Sequence, residues 1–143
     1  MDIKRLVNSI VRKYETRNPF DIVSQTNIIL IKYPLHGVRG FYQYFQRNHI
    51  IYIDEKLPWH EQLFVCAHEL GHLKLHRKSN AIFMDSRTFL STSRYEQEAN
   101  RFAMDLLVPD DVLKENIELS YEQLSRLLGY EKALLELRIK DFK

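Results

Sequence analysis

The sequence has little of what marks several specialised protein classes. It has one cysteine in 143 residues, which excludes an internal disulfide framework and a four-thiolate zinc site. Four glycines and four prolines exclude a collagen-like chain and a low-complexity linker. Its 21 basic and 19 acidic residues leave a net charge of only +2, so charge alone does not indicate nucleic-acid binding. What is left is an ordinary globular composition, with 45% hydrophobic residues, in a length that suits one domain.

Long hydrophobic runs are also missing. Apolar runs such as Ile28-Ile29-Leu30-Ile31 are far too short to cross a bilayer. The N-terminal residues lead into no continuous apolar stretch, so they do not form a secretory signal. We therefore expect a cytoplasmic protein with no membrane partner.

The hydrophobic pattern predicts an α+β fold in a single domain over 1–143. Its sheet is small, because only three segments have the branched and aromatic composition of strands: 28–33, 41–45 and 49–53. The last two are close enough for a hairpin. Residues 78–92 show no period and are interpreted as a loop. The predicted helices lie at 2–16, after Asn18-Pro19, from Pro58 to about Arg77, at 93–108, 110–116, 120–128 and 131–140.

The most informative motif is His68-Glu69-Leu70-Gly71-His72, inside the long predicted helix. Residues four apart project from one helix face about 6 Å apart along the axis, so two imidazoles can bind one zinc ion. Glu69 lies roughly 100° around the helix, where a carboxylate can reach a water activated by the metal without binding the metal itself. The alternative is a chance pair of histidines with a solvated Glu69. The apolar surroundings argue against it, since buried ionisable groups are costly unless something compensates them.

A zinc site with two histidines needs a third protein ligand. Cys66 lies roughly 160° around the helix from His68, so we expect it to be a small core residue. His76 lies about 12 Å along the axis from His68, so one ion cannot bind His68, His72 and His76 together. We expect His76 to support the site from outside the coordination sphere, or to interact with the helix C-terminus. His60 has the same problem of reach.

The helix that begins near Ser93 offers an acidic candidate. Glu96 falls about 50° from the centre of its apolar face and points inward, whereas Glu98 falls about 110° away and is expected to point towards solvent. The competing interpretation is a capping box, Ser93-x-x-Glu96. Because the site lacks a ligand, coordination by Glu96 is favoured. Asn100, at the edge of the same face, either hydrogen-bonds a ligating histidine or is an ordinary polar helix residue.

Two segments together resemble the ImmA/IrrE family of zinc metallopeptidases, which occur in phages, integrative elements and radiation-resistant bacteria. They are His68-Glu69-Leu70-Gly71-His72-x-x-x-His76 and Glu96-x-x-Ala99-Asn100-x-Phe102-Ala103-x-x-Leu106-Leu107-x-Pro109. Ile51-Tyr52-Ile53 and Phe64-Val65-x-Ala67 also fit. The resemblance is strong over the core, residues 48–110. Residues 111–143 would then be C-terminal helices.

The resemblance implies a gluzincin-type site. One zinc ion per chain would be bound by His68, His72 and Glu96, with Glu69 as the general base. The long helix would pack against the three-stranded sheet as in zincins, with a helical bundle at the C-terminus. The implied substrate is a helix-turn-helix repressor, cleaved at or near its linker so that repression is relieved. The phage and the radiation-response role are both compatible with the residues.

Two parts of the catalytic machinery are expected from neighbouring segments. The strand at 50–53 is expected to lie at the sheet edge beside the cleft, where an extended substrate can pair with it. The residue that stabilises the oxyanion is not identified by the sequence. Tyr95, Arg94 and Arg101 lie near Glu96 in sequence, and each is either the donor or a surface residue. Tyr95 is the first candidate, because its hydroxyl can reach the metal side.

Two functions of other classes stay open. Residues 120–129 resemble the first half of a helix-turn-helix, which would indicate a DNA-binding regulator. Residues 118–143 carry five basic and five acidic residues, however, and a DNA-reading helix needs a basic surface, so we expect no direct nucleic-acid binding. The second alternative is an antirepressor that keeps the zinc but acts by binding and sequestering the repressor without cleaving it.

Overall fold

The computed structural model describes residues 2–76 and 94–142. Within these ranges the helices and strands follow the predicted order, and their ends agree with the prediction to within two residues. The predicted loop at 78–92, Arg77 and Ser93 lie outside the described residues. The elements are α1 (Ile3–Tyr14), α2 (Pro19–Ser24), β1 (Ile29–Tyr33), β2 (Gly40–Phe45), β3 (Asn48–Asp54), α3 (Trp59–Leu75), α4 (Arg94–Leu107), α5 (Asp110–Glu115), α6 (Tyr121–Leu128) and α7 (Lys132–Phe142).

The two N-terminal helices form where the sequence pattern predicts them. Along α1 the apolar residues recur every three to four positions, and Ile3, Val7 and Ile10 are buried against the core. At the start of α2 the side chain of Asn18 accepts a hydrogen bond from the backbone N–H two residues on, at 2.9 Å. Pro19 then occupies the first helical position, where a missing N–H costs nothing. α1 packs on α4 and α2 packs on α3.

The sheet has β3 in its centre. β3 pairs in parallel with β1, with Ile50 opposite Ile29, and antiparallel with β2, with Ile53 opposite Gly40. The expectation that the strand at 50–53 lies at the sheet edge and pairs with a substrate is therefore wrong, because both of its sides are already hydrogen-bonded. The hairpin was predictable from the short connection. The side on which β1 joins it was not, because that choice depends on tertiary packing.

The β2–β3 hairpin closes through a two-residue turn. Phe45 pairs with Asn48, and the two residues between them, Gln46 and Arg47, have φ values of 50° and 66°. Two left-handed residues in succession are the mark of a type I′ turn, whose twist matches that of the flanking strands. The geometry of the hairpin thus outweighs the poor left-handed propensity of these two side chains.

Helix α3 lies between the sheet and α4 and is buried for most of its length. Every residue from Phe64 to Leu73 is buried, including the whole histidine-containing motif. Pro58 stands immediately before the first residue of α3, in agreement with the prediction that this helix starts at Pro58. Cys66 is fully buried, which confirms its prediction as a core residue. The ionisable residues of the motif are therefore held inside the protein.

A close contact between α3 and α4 occurs at Gly71. A Cβ atom at this position would lie 3.0 Å from Cβ of Phe102 and 3.1 Å from two of its ring carbons. Carbon atoms ordinarily pack about 3.5–4.0 Å apart, so a Cβ here would force Phe102 or the helices themselves to shift. The glycine thus lets the two helices approach closely right beside the candidate site, since it directly precedes His72.

The C-terminal helices pack against the rest of the protein. α6 begins with a capping box between Ser120 and Gln123, and α7 contacts both α6 and α4. Arg138 of α7 is 2% exposed and donates hydrogen bonds to the backbone oxygen of Val108, at 2.9 Å, and to Asp110, at 2.6 Å. The C-terminal segment is thereby tied to the end of α4, as the prediction of packed helices requires.

A single hydrophobic core draws residues from α1, α2, β3, α3, α4, α5, α6 and α7. The protein is therefore an α+β domain with a small three-stranded sheet, a buried central helix and a C-terminal group of helices, which confirms the predicted fold class. The division into a core over 48–110 and C-terminal helices over 111–143 stays a prediction. Over residues 2–76 and 94–142, no helix is both long and apolar enough to cross a membrane.

Candidate metal centre

Three side chains from two helices converge on one point. His68 and His72 of α3 and Glu96 of α4 each bring one donor atom to within 4.8 Å of the others. Nε2 of His68 lies 3.0 Å from Oε1 of Glu96, and Nε2 of His72 lies 2.9 Å from Oε2. The four-residue spacing places the two imidazoles on the face of α3 that meets α4. The structure thus brings together the three predicted ligands.

Glu96 stands in the first turn of α4 with its side chain 14% exposed. Burial alone would raise its pKa, but the hydrogen bond to His68 and the nearness of both imidazoles outweigh burial and hold the pKa below its ordinary value. The carboxylate is therefore ionised at neutral pH. Ser93, its partner in the alternative capping box, lies outside the described residues. Both carboxylate oxygens face imidazole nitrogens, as the coordination hypothesis expects.

The donor set fits a divalent metal ion. Nε2 of His72 is buried and makes no hydrogen bond within the described residues, although Oε2 of Glu96 is near it, so its direction is wrong for a bond between the two. Two imidazoles and one carboxylate are a common ligand set of catalytic zinc sites, which keep a fourth position open. In tetrahedral coordination at bond lengths of about 2.0–2.1 Å, these donors would lie roughly 3.3 Å apart. Small side-chain adjustments suffice to reach that spacing.

Glu69 lies beside this group and is completely buried. Neither of its carboxylate oxygens has a hydrogen-bond partner among residues 2–76 and 94–142. Burial raises its pKa to about 8, against the lowering effect of His72 and with a further rise from Glu96. Buried carboxyl groups are normally hydrogen-bonded, and an unpartnered one in the core requires an explanation beyond folding. The motif offers an explanation: a divalent cation bound beside Glu69 would lower this pKa, so that the carboxyl group, mostly protonated at neutral pH without the ion, becomes a proton acceptor.

A second cluster, formed by His76 and Glu98, lies directly against His72. His76 is the residue that ends α3, and its Nδ1 is 3.1 Å from Nδ1 of His72. Its Nε2 is 3.0 Å from Oε1 of Glu98. Burial lowers the pKa of His76, partly opposed by the hydrogen bond to Glu98. His76 thus stands at the C-terminal end of α3 and contacts a candidate ligand, and its role at the site stays a prediction.

The prediction that Glu98 points towards solvent is wrong. Its side chain is only 21% exposed, and its hydrogen bond to His76 is the largest cause of a pKa below the ordinary value. The angle around α4 places Glu98 away from the apolar face of that helix, as expected. The end of α3 extends past this face, however, and His76 meets Glu98 there. The signal in the sequence was the unexplained histidine four residues after His72.

The two other residues predicted near the site differ in their surroundings. Tyr95 is half exposed, and its ring lies against that of His76 with 4.2 Å between centroids. Its role as an oxyanion donor stays a prediction. Asn100 is buried one turn after Glu96. The hydrogen bond that was one of two alternatives for Asn100 is not formed at Nδ1 of His68, which has no partner in the described part of the chain.

The fold and the site together define a metallopeptidase-like domain, with a His-Glu-x-x-His helix packed between a small sheet and an acidic helix. The chain belongs to the family of the IrrE N-terminal-like domain, peptidase M78, whose model matches residues 23–140. It is 41% identical over 139 residues to the uncharacterized immunity region protein 2 of Bacillus phage phi105, covering 95% of this chain and 88% of that protein. It is 32% identical over 115 residues to the metallopeptidase ImmA of Bacillus subtilis strain 168, covering 79% and 67%. The resemblance inferred from the motifs is confirmed.

Proposed function

We propose that this protein is a zinc-dependent endopeptidase that cleaves a helix-turn-helix repressor and thereby relieves repression. The observation that carries the proposal is the convergence of His68, His72 and Glu96 around one point, with the unpartnered carboxylate of Glu69 beside them. A core that did not bind a ligand would gain nothing from burying these four groups together, because their desolvation is costly.

The three converging side chains would hold the ion. Their two neutral imidazoles and one carboxylate carry a single negative charge, which leaves a bound divalent cation a net positive charge for catalysis. Zinc prefers this combination of nitrogen and oxygen ligands, and it would supply Lewis-acid polarisation of a water and of the substrate carbonyl. The same donors also accept other first-row metals, so zinc is the part of the proposal that metal analysis must test.

Glu69 is the proposed general base. Glu69 follows His68 directly, and successive residues of a helix are rotated by roughly 100°. Its carboxylate therefore lies beside the three donor atoms and is not one of them. The carboxylate takes a proton from the attacking water and then gives it to the leaving amine when the peptide bond breaks. Because no protein group binds its oxygens among the described residues, they are free to make both transfers.

The substrate class comes from the family resemblance. One relative is named for a phage immunity region and the other is named a metallopeptidase. These names support a role in the control of a repressor by proteolysis. A repressor with an exposed linker between folded parts would suit an endopeptidase, because exposed and flexible segments are the preferred sites of proteolytic cleavage.

The test is incubation of the purified protein with the repressor encoded next to its own gene, with and without added zinc. We expect repressor fragments on a gel from the wild type with zinc, and none after chelation. The Glu69→Gln variant should lose at least about 100-fold in cleavage rate, since general acid–base catalysis contributes about 100- to 10,000-fold. It should still bind zinc, because its ligands are intact. Glu61→Gln makes the same change on the same helix, away from the site, and should cleave normally.

Other outcomes would contradict the proposal in distinct ways. If the wild type leaves the repressor intact but abolishes its binding to operator DNA, and Glu69→Gln does the same, the protein acts as a sequestering antirepressor. If the protein itself shifts the operator DNA in the absence of repressor, it is a DNA-binding regulator. If neither the wild type nor any variant binds zinc in metal analysis, the site has been assigned wrongly.

A further inference from the structure

We propose that His76 and Glu98 are positioning residues that hold the imidazole of His72 ready for a metal ion. The geometry is a chain of hydrogen bonds, Glu98–His76–His72, that ends on the nitrogen of His72 opposite its metal-facing Nε2. This inference rests on the proposed metal site. It decides between the two roles left open for His76 and adds Glu98, which the sequence places towards solvent.

The direction of the chain follows from its acidic end. Oε1 of Glu98 lies 3.0 Å from Nε2 of His76, and an ionised carboxylate only accepts hydrogen bonds. Nε2 of His76 therefore carries the proton, and its Nδ1 is left with a lone pair. Nδ1 of His72 is 3.1 Å from that lone pair and must be the donor. A neutral His72 with its proton on Nδ1 has its lone pair on Nε2, the atom that faces Glu96.

The surroundings hold this chain in place. The side chain of His76 is 5% exposed, and the ring of Tyr95 covers one of its sides at a centroid distance of 4.2 Å. On the far side of Glu98, Oε2 lies 3.6 Å from Nε of Arg94. The acidic end of the chain thus has a cation beside it, and the central imidazole has little room to rotate.

The two candidate histidine ligands are supported differently. His72 lies in the last turn of α3, where a helix frays most easily, and it is the one that receives the chain. His68 lies one turn further into the core, and its Nδ1 has no hydrogen-bond partner in the described ranges. Apart from the contact of its Nε2 with Glu96, its orientation rests on packing, including the ring of Phe64 at 5.7 Å between centroids. The chain of hydrogen bonds therefore supports His72, the candidate ligand that lies nearer the end of the helix and is less firmly packed than His68.

The experiment measures zinc binding by the full-length, metal-free protein in competition with a chromophoric chelator. Partners of metal-bound histidines typically contribute 10- to 100-fold in affinity. His76→Phe and Glu98→Ala should therefore weaken zinc binding about 10-fold or more. Glu98→Gln should stay within a few fold of the wild type, because its amide oxygen still accepts the hydrogen bond. Glu136→Ala, an exposed position in the middle of α7, is the control and should have no effect.

A second readout needs no variant. Nitrogen NMR of the histidine side chains in the metal-free wild-type protein should show the proton of His72 on Nδ1 and that of His76 on Nε2. The opposite tautomer at either ring overturns the inference, as does wild-type zinc affinity in Glu98→Ala. Failure of the metal site itself would look different, because the wild type and His72→Ala would then bind zinc equally poorly.

Discussion

Replacement of Gly71 by alanine tests the contact that sets the distance between the two helices that carry the candidate ligands. The added Cβ would meet three carbon atoms of Phe102 at 3.0–3.1 Å. Each contact would be short by about half an ångström relative to ordinary carbon–carbon packing. One of the three atoms is Cβ of Phe102, which is fixed to the backbone, so rotation of the phenyl ring cannot relieve the whole overlap. α4 must therefore move away from α3.

Two opposing effects decide the stability of this variant. Alanine is favoured over glycine in a helix interior by about 1 kcal/mol. Overpacking of a well-packed core costs about 1–3 kcal/mol. We therefore expect Gly71→Ala to change the free energy of unfolding from about zero to a loss of about 2 kcal/mol. The displacement of α4 also carries Glu96 away from the histidines, so zinc affinity should fall even if stability hardly changes.

The assay is urea denaturation of the metal-free protein, combined with the zinc competition measurement. Gly71→Val adds two more carbons in the same space and should be less stable than Gly71→Ala and bind zinc more weakly. A Gly71→Ala protein that is about 1 kcal/mol more stable than the wild type, with unchanged zinc affinity, would refute the reasoning. That result would mean that the two helices have room at this point and that the glycine does not set their spacing.

Two further predictions concern regions away from the metal centre. Burial raises the pKa of Asp105 to about 6 from its ordinary 3.8, despite the neighbouring Arg138, so the folded chain holds this proton more tightly than the unfolded chain. The contribution of the protonated Asp105 to the stability of the fold is therefore present below pH 4 and is lost as the pH rises through 6. The side chain of the Asp105→Asn variant cannot ionise. In chemical denaturation, the free energy of unfolding of the variant relative to that of the wild type should therefore rise by about 3 kcal/mol between pH 4 and pH 7. A difference that stays constant with pH would contradict this. Gly129 ends α6 with a φ of 84°, and a Cβ there would make only ordinary contacts, the nearest at 3.6 Å. The free energy of unfolding of Gly129→Ala, measured by urea denaturation, should therefore be about 1 kcal/mol lower than that of the wild type, from backbone strain alone. A urea midpoint equal to that of the wild type would argue against the left-handed conformation at this helix end.

The positions of the helices and of the three candidate ligands could be predicted because each depends on local periodicity. The spacing of His68 and His72 within one helix fixes their common face without any knowledge of the rest of the fold. The inward direction of Glu96 follows from its angle to the apolar face of its own helix. These inferences require only that two apolar helix faces meet, which a chain of this composition can hardly avoid.

The features that were missed depend on how separate elements meet. The position of β1 beside β3, and not beside β2, depends on packing between layers, and no residue in the strands encodes it locally. The contact between His76 and Glu98 arises because α3 ends at the flank of α4. The angle of Glu98 around its own helix contains no information about that end. Such contacts become visible only when two elements are placed together.

The central position of β3 has a consequence for folding and for aggregation. The β2–β3 hairpin, closed by its two-residue turn, can form on a timescale of about 1–10 µs, whereas β1 must be brought in from a more distant part of the chain. Until β1 arrives, one side of β3 is an unpaired edge that carries Ile50, Ile51 and Ile53. A long apolar edge of this kind readily recruits a strand from another molecule. Substitutions that loosen β1 should therefore appear first as loss of protein to insoluble material during expression, before any change in the folded protein is seen.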